Sequence, residues 1–162
     1  MAQARYVEGF DAARPAVIVR TKSSTAQAFQ VLRFGVTLAP IIAGIDKFTG
    51  RLVDWQQYLA PTVLNAVAPT LTKYIPPVLT SNAPLSARGL LMIVGVIEIL
   101  MGLLVAVKPS IGGWVVAVWL WAVIANLVLA PSHYDIAVRD FALSLCALAL
   151  ARLAVTCERG RS

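Results

Sequence analysis

The 162 residues are 59% hydrophobic and only 14% charged, against about 45–50% and ~25% in ordinary soluble domains. With a mean hydropathy of +0.76, a chain this short lacks the interior volume to hide its apolar surface from water. This excludes a disordered chain, a disulfide scaffold and a coiled coil, argues against a soluble enzyme, and makes the lipid bilayer the expected surroundings.

Residues 1–28 are mixed and polar, with Arg5, Arg14, Arg20 and Lys22, and read as a tail. The first apolar stretch, residues 29–48, is too long and too far into the chain for a cleaved signal peptide. Ser24 or Thr25 is the expected cap, and Pro40 the expected kink, which a membrane bundle tolerates. Further spans are expected at residues 87–107, closed by Lys108-Pro109, at 111–129, stopped by Ala130-Pro131, and at 135–155. Each holds about twenty residues, enough to cross a ~30 Å hydrocarbon layer. Residues 156–162 form a second tail. The fold class predicted is therefore an all-α, integral membrane four-helix bundle.

Residues 50–86 hold Trp55, Tyr58, Tyr74 and five prolines. They are too broken to span. Val63, Leu64, Val67 and Leu71 recur at helical spacing, so short helices lying at the membrane interface are expected, with Trp and Tyr at headgroup level.

Four spans place both termini on one side. Arg5, Arg14, Arg20, Lys22, Arg33, Lys108, Arg152, Arg159 and Arg161 fall there, against Lys47, Arg51, Lys73, Arg88 and Arg139 opposite. This asymmetry favours cytoplasmic termini, and it accounts for the net charge of +6. No basic run is interleaved with stacking aromatics, so nucleic acid is not an expected partner.

An ionisable side chain inside a span is costly and marks a candidate site. Glu98 stands near the middle of the second span, with Gly95 and Gly102 on the same helical face. Two readings stay open: a group that handles a proton or bonds a quinone head, or a structural bond between helices. Asp46 and Lys47 end the first span, and Arg139 and Asp140 lie one turn into the fourth. All four are expected on the outer side. Asp46 with Arg139, and Lys47 with Asp140, are the pairs expected across the bundle. These five residues form either a polar pocket with Glu98 at its base or a network that sets helix register.

His133, the one histidine, is expected in an interfacial turn. Asn126 is expected to bond between helices. Trp114, Trp119 and Trp121 offer either a stacking surface for a quinone ring or membrane packing. Cys146 and Cys157 are about 16 Å apart along a helix, beyond disulfide reach. No phosphate-binding glycine loop, zinc motif, haem histidine pair or Ser-His-Asp set is present. Independent catalysis is therefore not expected, and no metal is predicted.

Three motifs occur in order: Leu32-Arg33-Phe34-Gly35 followed by Ala43-Gly44-Ile45-Asp46-Lys47-Phe48; Gly95-Val96-Ile97-Glu98-Ile99-Leu100-Met101-Gly102; and Tyr134-Asp135-Ile136-Ala137-Val138-Arg139-Asp140. Together they resemble the DoxX family of small four-helix membrane proteins, over roughly Leu32 to Leu153. Pro40 and the long loop depart from a minimal member. Some members are membrane subunits of thiosulfate:quinone oxidoreductase, and others associate with redox or oxidative-stress proteins. The resemblance implies an inner-membrane subunit or docking partner of a quinone-linked redox system, with Glu98, Asp46 and Lys47 at motif positions and Gly44, Gly95 and Gly102 packing helices. It leaves room for a redox-protein partner or a second copy of the chain. A small-solute or proton pathway and a ligand-free scaffold are the alternatives.

Overall fold

The computed structural model describes residues 14–74, 86–130 and 133–159. These form five α-helices and one 3₁₀ turn: α1 (Arg14–Thr49), the turn (Trp55–Tyr58), α2 (Pro61–Tyr74), α3 (Ala87–Val107), α4 (Pro109–Leu129) and α5 (Tyr134–Arg159). Four of them, over Ser24–Thr49, Ala87–Val107, Pro109–Leu129 and Tyr134–Cys157, are long and apolar enough to cross a membrane. The molecule is an all-α, four-helix membrane bundle.

The helix boundaries follow local chemistry. Ser86 caps α3 by accepting a hydrogen bond from the Gly89 amide at 3.2 Å. Pro109 lacks the N–H needed to prolong α3 but fits the first position of α4. One expectation about α1 requires correction. Neither Ser24 nor Thr25 begins the helix, which already runs from Arg14. Pro15 suits a first turn, and neither glycine nor proline interrupts the chain again before Gly35. Pro40 lies within the continuous helix.

The connector after α1 bears out short helices where a span was excluded. Asp54 caps the 3₁₀ turn, accepting from the Gln56 amide at 3.1 Å. On α2, Val63, Leu64, Val67 and Leu71 are half-buried, while Asn65, Ala66, Pro69 and Thr70 are exposed. This is the two-faced pattern that the spacing predicts. The rest of the segment, residues 75–85, lies outside the described residues.

The closest helix partners are α1 with α3 and α4 with α5; α3–α4 and α1–α5 contacts close the ring. Small residues permit the close approaches. A Cβ on Gly44 would lie 2.5 Å from the Gly95 carbonyl oxygen, and one on Gly102 would lie 2.7 Å from that of Thr37. Gly44, Gly95 and Gly102 thus stand where α1 and α3 approach most closely on this face. Gly112 and Gly113 do the same against Val105 and Ala147, a role the sequence reading missed.

The bundle is divided along its length. Towards the end that carries the termini, Val36, Met101, Val105, Val116, Ala117, Ala147 and Leu150 form an apolar core. There the Arg33 guanidinium donates to the Ala106 carbonyl, one of the acceptors left over at the α3 C-terminus. Buried polar side chains, namely Asp46, Glu98, Asp140 and Ser144, lie from the middle of the bundle towards the opposite end. The outer surface carries exposed Val96, Leu100, Leu103, Val118 and Val128, which suits contact with hydrocarbon.

Candidate functional site

The polar half is organised from the end of α1. Gly50 takes a left-handed conformation (φ 58°), which favours glycine, and its amide bonds the Asp46 carbonyl at 2.6 Å. The chain then curls around the Asp46 carboxylate. Oδ1 accepts from Thr49 Oγ1 at 3.1 Å and from the Arg51 and Leu52 amides at 3.0 Å each. Oδ2 accepts from the Val53 amide at 3.2 Å and Trp55 Nε1 at 2.8 Å. Asp46 is 3% exposed. It therefore does not pair with Arg139 as expected. Five donors from the next nine residues saturate the carboxylate, and short-range donors need little chain closure to reach it.

Trp55, held by Asp46, lays its ring over Lys47, whose Nζ is 3.6 Å from the ring centroid. The same ammonium donates to Glu98 Oε2 at 2.6 Å. Only 4% of the Lys47 side chain and 11% of that of Glu98 are exposed. Lys47 thus pairs with Glu98 rather than Asp140. Helix geometry explains the choice. The Gly44–Gly95 contact sets α1 against α3, and from it Lys47 and Glu98 lie three residues on in antiparallel directions, about 9 Å apart along the axis. Side chains lean towards the N-terminus of their own helix. In an antiparallel pair these two therefore lean towards each other.

Asp140 is buried in the same half of the bundle. Its ion pair is with its sequence neighbour: Arg139 Nε lies 3.5 Å from Oδ1. The Arg139 side chain is 66% exposed, so it stands on the surface and not in a pocket. The structure therefore joins Lys47, Glu98 and, through Trp55, Asp46. Asp140 is buried but makes no bond to them among the described residues, and Arg139 lies outside.

Trp119 Nε1 is buried and faces the Glu98 carboxylate, and it makes no close hydrogen bond among the described residues. The indole also lines an outward-facing groove of about 470 Å³ between α3 and α4, with Ile97, Met101, Trp114, Val115, Val118 and Ala122. The groove falls within the ~300–1,000 Å³ typical of small-molecule sites. A second cleft, of about 320 Å³, opens at the end opposite the termini and includes Lys47, Asp54, Trp55, Gln56 and Arg88 among its walls.

The connector is fastened further along. Asn126 Nδ2 donates to the Tyr58 carbonyl at 2.7 Å, while its Oδ1 accepts from the Ala60 amide at 3.0 Å. Asn126 thus clamps the connector's backbone and not a neighbouring span, because both amide functions find complementary groups there. His133 Nε2 lies 2.9 Å from the Gln57 carbonyl, with its ring edge-on to Tyr58 at 4.8 Å. These partners are backbone atoms, which residue types do not reveal. The place of Trp55 over Lys47 was likewise missed; its signal was nearness in sequence to the Asp46-Lys47 pair. Cys146 and Cys157 are both free thiols. Comparison with known proteins finds no matching family model, no matching curated protein and no matching solved structure, so the family resemblance rests on its motifs.

Proposed function

We propose that this chain is a DoxX-like inner-membrane protein with cytoplasmic termini, serving a quinone-linked redox system as membrane subunit or docking partner. The observation that supports this best is the apolar groove walled by Trp119, whose buried N–H makes no close hydrogen bond among the described residues, beside the Lys47–Glu98 pair. A quinone has a flat apolar ring with carbonyl acceptors. Its ring suits a wall of Trp114, Trp119 and Met101, and a carbonyl suits the Trp119 N–H. The quinone would supply the electron-carrying chemistry, and a partner protein the electrons. The chain's own residues bind, orient and exclude water.

Gentle extraction followed by quinone analysis tests the reading. The wild type should retain quinone. Trp119→Phe keeps an aromatic ring and removes one donor, so it should lower occupancy roughly fivefold, the equivalent of ~1 kcal/mol for a single hydrogen bond. Glu98→Gln should lower it as well. A wild type free of quinone, or variants that retain as much as the wild type, would reject this site and leave a scaffold role ahead.

A further inference from the structure

We propose that the Lys47–Glu98 pair is reached from the lipid, through the α3–α4 groove, and is shut off from the aqueous phase at the end opposite the termini. This deepens the quinone reading by fixing how its ligand arrives. It rests on that reading for the ligand's identity but not for the route.

Two sets of observations carry it. The connector between α1 and α2 is pinned over the end of the bundle at separate points. Asp46 binds the amides of Arg51, Leu52 and Val53 and the indole of Trp55. His133 meets Gln57. Asn126 grips the backbone on both sides of Leu59. The cleft at this end touches Lys47, yet Trp55 covers the ammonium and almost none of that side chain is exposed. A segment bonded at its start, middle and end behaves as a plug rather than a lid, since opening it strands several buried polar groups together. On the flank, by contrast, none of the described residues covers the groove. Its walls are apolar side chains, and Trp119 is shared between the groove and the surroundings of Glu98. A ligand using this entrance has to partition into hydrocarbon. At the plugged end, Trp55 stands between the aqueous cleft and the Lys47 ammonium.

Two carbodiimides differing in solubility test the route. Protein in nanodiscs of phosphatidylcholine and phosphatidylglycerol would be treated with dicyclohexylcarbodiimide, which enters lipid, or with a water-soluble cationic carbodiimide. Peptide mass mapping then counts both products at Glu98, the N-acylurea and the amide closed with Lys47. The lipid-soluble reagent should modify Glu98 faster by about tenfold or more, because the charged reagent is excluded from hydrocarbon. Ala122→Trp, which fills the exposed flank of the groove, should slow that reaction. Asn126→Leu, which releases the plug, should speed the aqueous one. The proposal is overturned if the water-soluble reagent reaches wild-type Glu98 as fast, or if the lipid-soluble one leaves it unmodified. The wild-type comparison decides the matter even where a variant does not fold. A solubility-dependent difference in a protein that retains no quinone would keep the route and reject the quinone.

Discussion

Replacing Lys47 with methionine should destabilise the bundle more than replacing Lys47 with methionine and Glu98 with glutamine together. The 2.6 Å contact joins two side chains that are almost fully withdrawn from solvent. Removing one partner leaves the other as a lone charge in a dry interior, at a cost of about 3–5 kcal/mol. The double variant strands no charge and should recover at least ~1 kcal/mol of that loss. Unfolding of the wild type, both single variants and the double variant in one detergent measures the coupling. Purely additive losses would show that the pair contributes nothing as a unit. The same cycle made with Asp46 and Arg139 should show no coupling, because the Asp46 carboxylate is occupied by its own connector.

The second large effect is steric. Gly44→Ala should cost about 1–3 kcal/mol, and so should Gly95→Ala, through overpacking. The new methyl at Gly44 meets the Gly95 carbonyl oxygen at 2.5 Å, and that at Gly95 meets the Gly44 carbonyl at 2.8 Å. Both obstacles are backbone, so no side-chain rotation relieves them. Gly35→Ala is the control, since nothing stands within 4 Å of its Cβ position. In a helix that change should stabilise by up to ~1 kcal/mol. Thermal unfolding of the three variants separates the two cases. Equal shifts at all three glycines would mean that helix propensity, and not the close approach, sets the response. Loss of the Gly44–Gly95 contact should also weaken the Lys47–Glu98 pair, which depends on the same helix spacing.

Apolar runs of about twenty residues, together with Lys108-Pro109 and Ala130-Pro131, were enough to place α3 and α4 within two residues at either end. Hydrocarbon thickness forces such runs into helices whatever their neighbours do. The start of α1 was less legible, because its first apolar run, Ala16 to Val19, is too short to span and is set between Arg14 and Arg20. Within the site, residue type singled out Glu98, Lys47 and Asp46 but not their partners. The pairing expected from sequence matched opposite charges on one side of the membrane. What decided the pairing was the lean of side chains in an antiparallel helix pair and the supply of amide donors just after α1. Neither is encoded by charge. Asn126 and His133 were recognisable as polar residues near the end of the bundle, but their partners are carbonyls and an amide of the connector, which any sequence would present.

The two links between α1 and α3 have a mechanical consequence. Arg33 grips the end of α3 at Ala106, and Lys47 grips its middle at Glu98. The two anchor points on α1 are about 21 Å apart along the axis. Two helices stapled at both levels cannot slide or swivel independently and must travel as one strut. Rocking of the molecule then falls to the seams between this strut and the α4–α5 hairpin. One of those seams runs along the wall where Trp119 sits, so widening it would change the fit of whatever lies against that indole.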